Sequence, residues 1–101
     1  MPIDLASHVL QQIRDILKEH VPDCEVWVFG SRASGNAKPF SGLDLALSSS
    51  EEIPARRLAL LANAFEESDL PFRVDLIDLH NARAAVREQI ARSAVNLSTM
   101  S

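Results

Sequence analysis

The chain has 101 residues, 47% of them hydrophobic and 24% charged. That is enough apolar sequence for one core and too little for two, so a site must lie in a shallow cleft of one small domain or be completed by a partner. The formal net charge of -4 argues against direct binding of free DNA or RNA, whose phosphate backbone rewards a basic surface.

From Asp4 to about His20, the residues Leu5, Val9, Ile13, Ile16 and Leu17 recur at spacings of three and four. This predicts an amphipathic helix, ended by Pro22-Asp23. Cys24 is the lone cysteine, with no partner for an internal disulfide and no Cys/His cluster to hold zinc. It reads as a packing thiol near a strand edge and fits a reducing cytosol. Glu25 to Phe29 is short, β-branched and aromatic and stops at Gly30, the pattern of a buried strand feeding a tight turn. Gly35, Asn36 and Pro39 limit the next segment to a short helical turn and a loop.

A second strand is predicted at Leu43-Asp44-Leu45-Ala46-Leu47, its leucines pointing one way and Asp44 and Ala46 the other. After a polar connection, Pro54 to about Ser68 repeats Leu58, Leu61, Ala62 and Phe65 at helical spacing. Leu70-Pro71 breaks that helix. Arg73 to Asp78 reads as a third strand, with Asp75 on the face opposite Val74 and Leu76. A last helix from about Asn81 to Asn96 carries Ala82, Val86, Ile90, Ala94 and Leu97 along one stripe. The expected fold is α/β: a small three-stranded mixed sheet with about four flanking helices, one domain spanning residues 1–101. No signal-peptide pattern opens the chain, and no apolar run approaches the roughly 20 residues needed to cross a bilayer.

Two features carry chemistry. A Gly30-Ser31 turn at the end of a buried strand can offer backbone N–H groups and a hydroxyl to phosphate oxygens, and glycine lets a ligand approach the backbone closely. Asp44 and Asp75 lie on separate strands. If those strands are neighbours, the two carboxylates can share a hard cation such as magnesium, with water and substrate phosphates completing its shell. In nucleotidyl transfer such ions activate the attacking oxygen and stabilise the leaving one. Asp78, three residues beyond Asp75, points to the other face and reads as a cap of the last helix. Lys38 reads as solvated, and Arg32 either holds the loop or touches phosphate. His8, His20 and His80 lack metal-ligand spacing.

The run Val-Trp-Val-Phe-Gly-Ser-Arg over residues 26–32, the ten residues that separate Ser31 from Gly42-Leu43-Asp44, and the run Leu70 to Leu76 around Asp75 resemble one family. It is the minimal nucleotidyltransferase (MNT) family of the polymerase-beta-like superfamily, known as the antitoxin half of prokaryotic HEPN/MNT toxin–antitoxin modules. The resemblance covers nearly the whole chain. It implies the nucleotidyltransferase fold, Mg2+ and ATP as cofactor and substrate, a small helical HEPN-type toxin as partner, and a cytoplasmic, prokaryotic setting. It further implies that Gly30, Ser31 and Arg32 bind the nucleotide. Asp44 corresponds to the second metal-binding aspartate, and Asp75 to the third carboxylate, which helps deprotonate the attacking hydroxyl. Gly42 stands where the family's first metal-ligating aspartate is expected. Two functions are therefore open: transfer of AMP or another nucleoside monophosphate to a partner hydroxyl, or neutralisation of the partner by occlusion alone.

Overall fold

Helix α1 (Ser7–His20) buries Leu10, Ile13 and Leu17, with Val9 and Ile16 packed beside them. Leu10 therefore belongs to the expected stripe as well. The helix ends where Val21 N–H donates to Leu17 O at 2.7 Å, just before Pro22. Strand β1 (Glu25–Phe29) follows. The computed structural model describes residues 6–30 and 42–97, so Leu5, Ser31, Arg32, Lys38 and the expected short helical turn and loop lie outside the described residues. The chain resumes with β2 (Leu43–Ser48), helix α2 (Ala55–Glu66) and β3 (Val74–Asp78). A 3₁₀ turn (Leu79–Asn81), helix α3 (Ala84–Ser93) and a two-residue strand β4 (Val95–Asn96) complete it.

The strands form one mixed sheet in the order β3-β2-β1-β4, with β2 and β3 parallel and both pairings of β1 antiparallel. Alternation along the strands gives the sheet two unlike faces. On one, Val26, Val28, Leu43, Leu45 and Leu47 are buried, covered by Ile13 and Leu17 of α1 and Leu61 and Phe65 of α2. The other face carries Trp27, Phe29, Asp44, Ala46, Asp75 and Ile77. Ala46 is fully buried between Trp27 and Ile77 in the cross-strand register. At one end of this face Trp27, Leu79, Arg87, Ile90 and Ala94 line a groove of about 550 Å³. The other end holds the aspartates.

Three expectations need correction. The sheet has four strands rather than three, and the last helix stops at Ser93 instead of running to Asn96; the described residues hold three α-helices and one 3₁₀ turn. Ala94 leaves the helix with extended dihedrals (φ -72, ψ 149), and Val95 and Asn96 then pair with Val28 and Trp27. This covers the free edge of β1, whose unpaired N–H and C=O groups would otherwise need partners. Asp78 does face away from Asp75, as expected, yet it caps no α-helix. It is 4% exposed, accepts from Ile53 N–H at 2.8 Å, and caps the 3₁₀ turn by accepting from His80 N–H at 3.0 Å.

Candidate active site

The topology brings the candidate residues together. Because β2 and β3 are parallel, their first residues lie at the same edge of the sheet, and Asp44 stands directly beside Asp75 in register. Because β1 runs antiparallel to β2, its last residues arrive at that edge too, with Phe29 opposite Asp44 and Gly30 one step beyond. The bond from Leu43 N–H to Arg73 O, 2.8 Å, fixes the start of the parallel pair.

Gly30 has φ +78, in the region that disfavours every residue with a Cβ, and a Cβ placed there would lie 2.4 Å from Asp44 Oδ2. The turn thus packs its bare Cα against the carboxylate, and glycine is required both by conformation and by space. Gly42 lies two residues before Asp44 and so shares its face. A Cβ there would point toward Asp75, 3.7 Å from Oδ2, and would sit 3.2 Å from Arg73 O. An aspartate at 42 would therefore add its carboxylate to the Asp44–Asp75 pair.

Asp44 is half-buried and Asp75 exposed. Burial, and then the like charge of Asp75, push the Asp44 carboxyl above the usual carboxylate range, only partly offset by the Arg73 cation. Arg73 is a residue the sequence reading did not single out. Its Nε lies 3.4 Å from Asp75 Oδ1 and its Nη2 donates to Oδ2 at 3.5 Å. Position alone could have flagged it, since two residues before Asp75 on an extended segment is the same side of the chain. Ser31 and Arg32, the other expected nucleotide contacts, lie outside the described residues. Cys24 sits elsewhere, half-buried, with its thiol raised first by burial and then by Asp23, opposite to what a reactive nucleophile requires. His80 is engaged with Ser49 O at 2.9 Å, far along the sheet from the aspartates.

Comparison with known proteins identifies the family. The family described as "Polymerase beta, Nucleotidyltransferase" matches residues 11–100. The chain belongs to the polymerase beta nucleotidyltransferase family. Within that family it is 44% identical, over 90 residues, to a probable protein adenylyltransferase MntA of Haemophilus influenzae, spanning 89% of this chain and 79% of that protein. The fold is similar to a chain of a toxin–antitoxin crystal structure with AMP-PNP, with a TM-score of 0.75 and 25% identity, covering 87% of this chain and 71% of that one. It is also similar to a chain of the Shewanella oneidensis complex of a tri-AMPylated HEPN toxin with an MNT antitoxin, at TM-score 0.67 and 21% identity, covering 89% of this chain and 69% of that one.

Proposed function

We propose that this chain is the nucleotidyltransferase half of a toxin–antitoxin pair, transferring AMP from ATP to a hydroxyl of a helical HEPN-type partner in the cytoplasm of a prokaryote. The observation that carries the reading is the in-register Asp44–Asp75 pair beside the Gly30 turn. The MntA relative and the AMP-PNP and AMPylated complexes supply the nucleotide and the partner class.

The donor set fits magnesium. Two adjacent carboxylates suit a hard cation that keeps water and takes its remaining ligands from substrate phosphates. Burial raises the Asp44 carboxyl first and the like charge of Asp75 second, and a divalent cation would relieve the second of these. Among the described residues no group of three or more His, Cys, Asp or Glu side chains could hold a metal ion, so Asp44 and Asp75 would be the protein's share of the site. When bound, the metal would lower the charge on the phosphates and favour an ionised attacking hydroxyl. Asp75, the more exposed of the two, would accept the proton of that hydroxyl. Gly30, which carries no Cβ, would let the phosphates approach its backbone closely.

Gly42 favours a second reading. With one carboxylate fewer, two divalent ions are held less well against their mutual repulsion, and the chemical step weakens. In that case the chain would act as a binding module that neutralises its partner by occlusion. Labelled ATP and magnesium, added to the chain co-expressed with its helical partner, separate the two. The expected result is slow label transfer that is lost in Asp44→Asn and enhanced in Gly42→Asp. Transfer by Gly42→Asp alone would favour occlusion, and no transfer by either would refute the enzyme reading.

A further inference from the structure

Arg73 meets the paired carboxylates from a fixed root and with a free head. Its carbonyl accepts the Leu43 N–H at 2.8 Å, which anchors its backbone at the start of the parallel pair. Its side chain is 82% exposed, and among the described residues Asp75 is its only ion-pair partner, at 3.4 Å from Nε to Oδ1 and 3.5 Å from Nη2 to Oδ2. Both contacts are longer than a well-made hydrogen bond. A pair this loose between exposed groups contributes little to stability and is given up at small cost. It also leaves most of the guanidinium's five N–H donors for another acceptor.

The local charges decide where that head goes. Asp44 and Asp75 stand side by side, and Arg73 is the cation that offsets them, acting on Asp44 as well as on Asp75. Two carboxylates and one guanidinium leave a net negative charge, which a divalent cation would invert. Arg73 would then face a like charge on the carboxylate it now holds, and the surplus would call for an anion. The nucleotide proposed to bind here brings one, in phosphates whose oxygens match the guanidinium fork. We propose that Arg73 is a switching counter-ion: it holds Asp75 while the site is empty and turns to the nucleotide phosphates when metal takes the carboxylate. Metal alone is thereby disfavoured, because nothing receives the displaced guanidinium, and metal arriving with nucleotide is favoured. Such coupling is reciprocal, so through Arg73 each ligand raises the affinity of the site for the other. Asp75 is released to the metal and the acceptor hydroxyl only once nucleotide is present.

The inference rests on the metal-site reading, and its test keeps the two apart without any turnover. Mn2+ binding is measured by electron paramagnetic resonance without nucleotide, and binding of Mn2+–AMP-PNP by calorimetry, for the unaltered chain, Arg73→Ala and Arg73→Lys. Asp44→Asn and Arg92→Ala serve as controls. Arg92 lies on α3, paired with Glu88, and reports the effect of net charge alone. Arg73→Ala should act with opposite signs. Mn2+ alone should bind about threefold more tightly, as for loss of an exposed like charge, and Mn2+–AMP-PNP about tenfold more weakly, as for loss of a charge-assisted bond to phosphate. Arg73→Lys keeps the charge and loses the fork, so it should leave Mn2+ alone unchanged and weaken Mn2+–AMP-PNP in part. An Arg73→Ala chain that binds both more weakly, or both as before, would overturn the counter-ion role and leave the metal site standing. Shifts of equal size in Arg92→Ala would assign the effect to net charge and overturn that role as well. Absence of Mn2+ from the unaltered chain, or binding undiminished in Asp44→Asn, would overturn the metal-site reading and the inference with it.

Discussion

Replacing Gly30 by alanine is the sharpest perturbation of the site, because the structure separates its two costs. The first is conformational: at φ +78 a residue with a Cβ loses about 1–2 kcal/mol. The second is steric, since the new Cβ would meet Asp44 Oδ2 at 2.4 Å and Cγ at 3.3 Å. Asp44 is half-exposed, so its carboxylate can rotate away, and this cost is about 1 kcal/mol rather than the larger penalties of overpacked cores. The total is about 2–3 kcal/mol, read as a lower midpoint in urea at unchanged m-value. In an Asp44→Ala background both clashing atoms are gone, and the nearest remaining one, Cβ, is 3.6 Å away. The same substitution should then cost only the conformational part, giving a coupling of about 1 kcal/mol between the two positions. Rotation also takes the carboxylate out of the site, so Gly30→Ala should lose divalent binding almost as fully as Asp44→Ala. Equal costs in both backgrounds, or unimpaired Mn2+ binding by Gly30→Ala, would refute the claim that this turn positions Asp44.

Other consequences follow from the same geometry. The folded-state pKa of Asp44 is raised above that of the unfolded chain, so the folded form holds the proton more tightly and stability falls as pH rises from about 3.9 through the raised value. Asp44→Asn should abolish that fall: urea unfolding will show it more stable than the unaltered chain at pH 7 and without that advantage near pH 3. Asp78→Ala strips acceptors from the N–H groups of Ile53 and His80 and should cost about 2–4 kcal/mol in urea unfolding, with Asp78→Asn recovering part of it. Arg57 of α2 pairs with Asp23 just beyond α1 and donates to His20 O at the end of that helix, and Asp23→Asn should lower the urea midpoint only slightly, with the difference shrinking at high salt.

The site was legible to the extent that it follows from period and spacing. Alternation in Leu43 to Leu47 and around Asp75 put both carboxylates opposite their apolar neighbours, and the register pair Asp44–Asp75 agrees with that placement. Their adjacency was not legible, because it depends on the parallel pairing of strands separated by α2. Arg73 escaped notice although its parity with Asp75 puts the two on one side of the strand, because an arginine at a strand start is ordinarily solvated. The fourth strand was hidden by coincidence. Ala94 and Leu97 continue the stripe of Val86 and Ile90, so the sequence reads as helix through Asn96, whereas pairing with distant β1 decides the outcome for Val95 and Asn96. Asp78 showed its face by parity but not its partners, since Ile53 reaches it only through the tertiary fold.

The central claim is that nucleotide and divalent metal meet at the edge where Gly30, Gly42, Asp44 and Asp75 converge. Paramagnetic broadening of backbone amide signals by Mn2+ with AMP-PNP tests it most directly, since it reports position without requiring catalysis or a partner. Signals of Gly30, Gly42, Asp44 and Asp75 should disappear at the lowest Mn2+, before those of Trp27 and Ile90, and Asp44→Asn should suppress the effect. Broadening centred on the groove between Trp27 and α3, or broadening undiminished in Asp44→Asn, would contradict it.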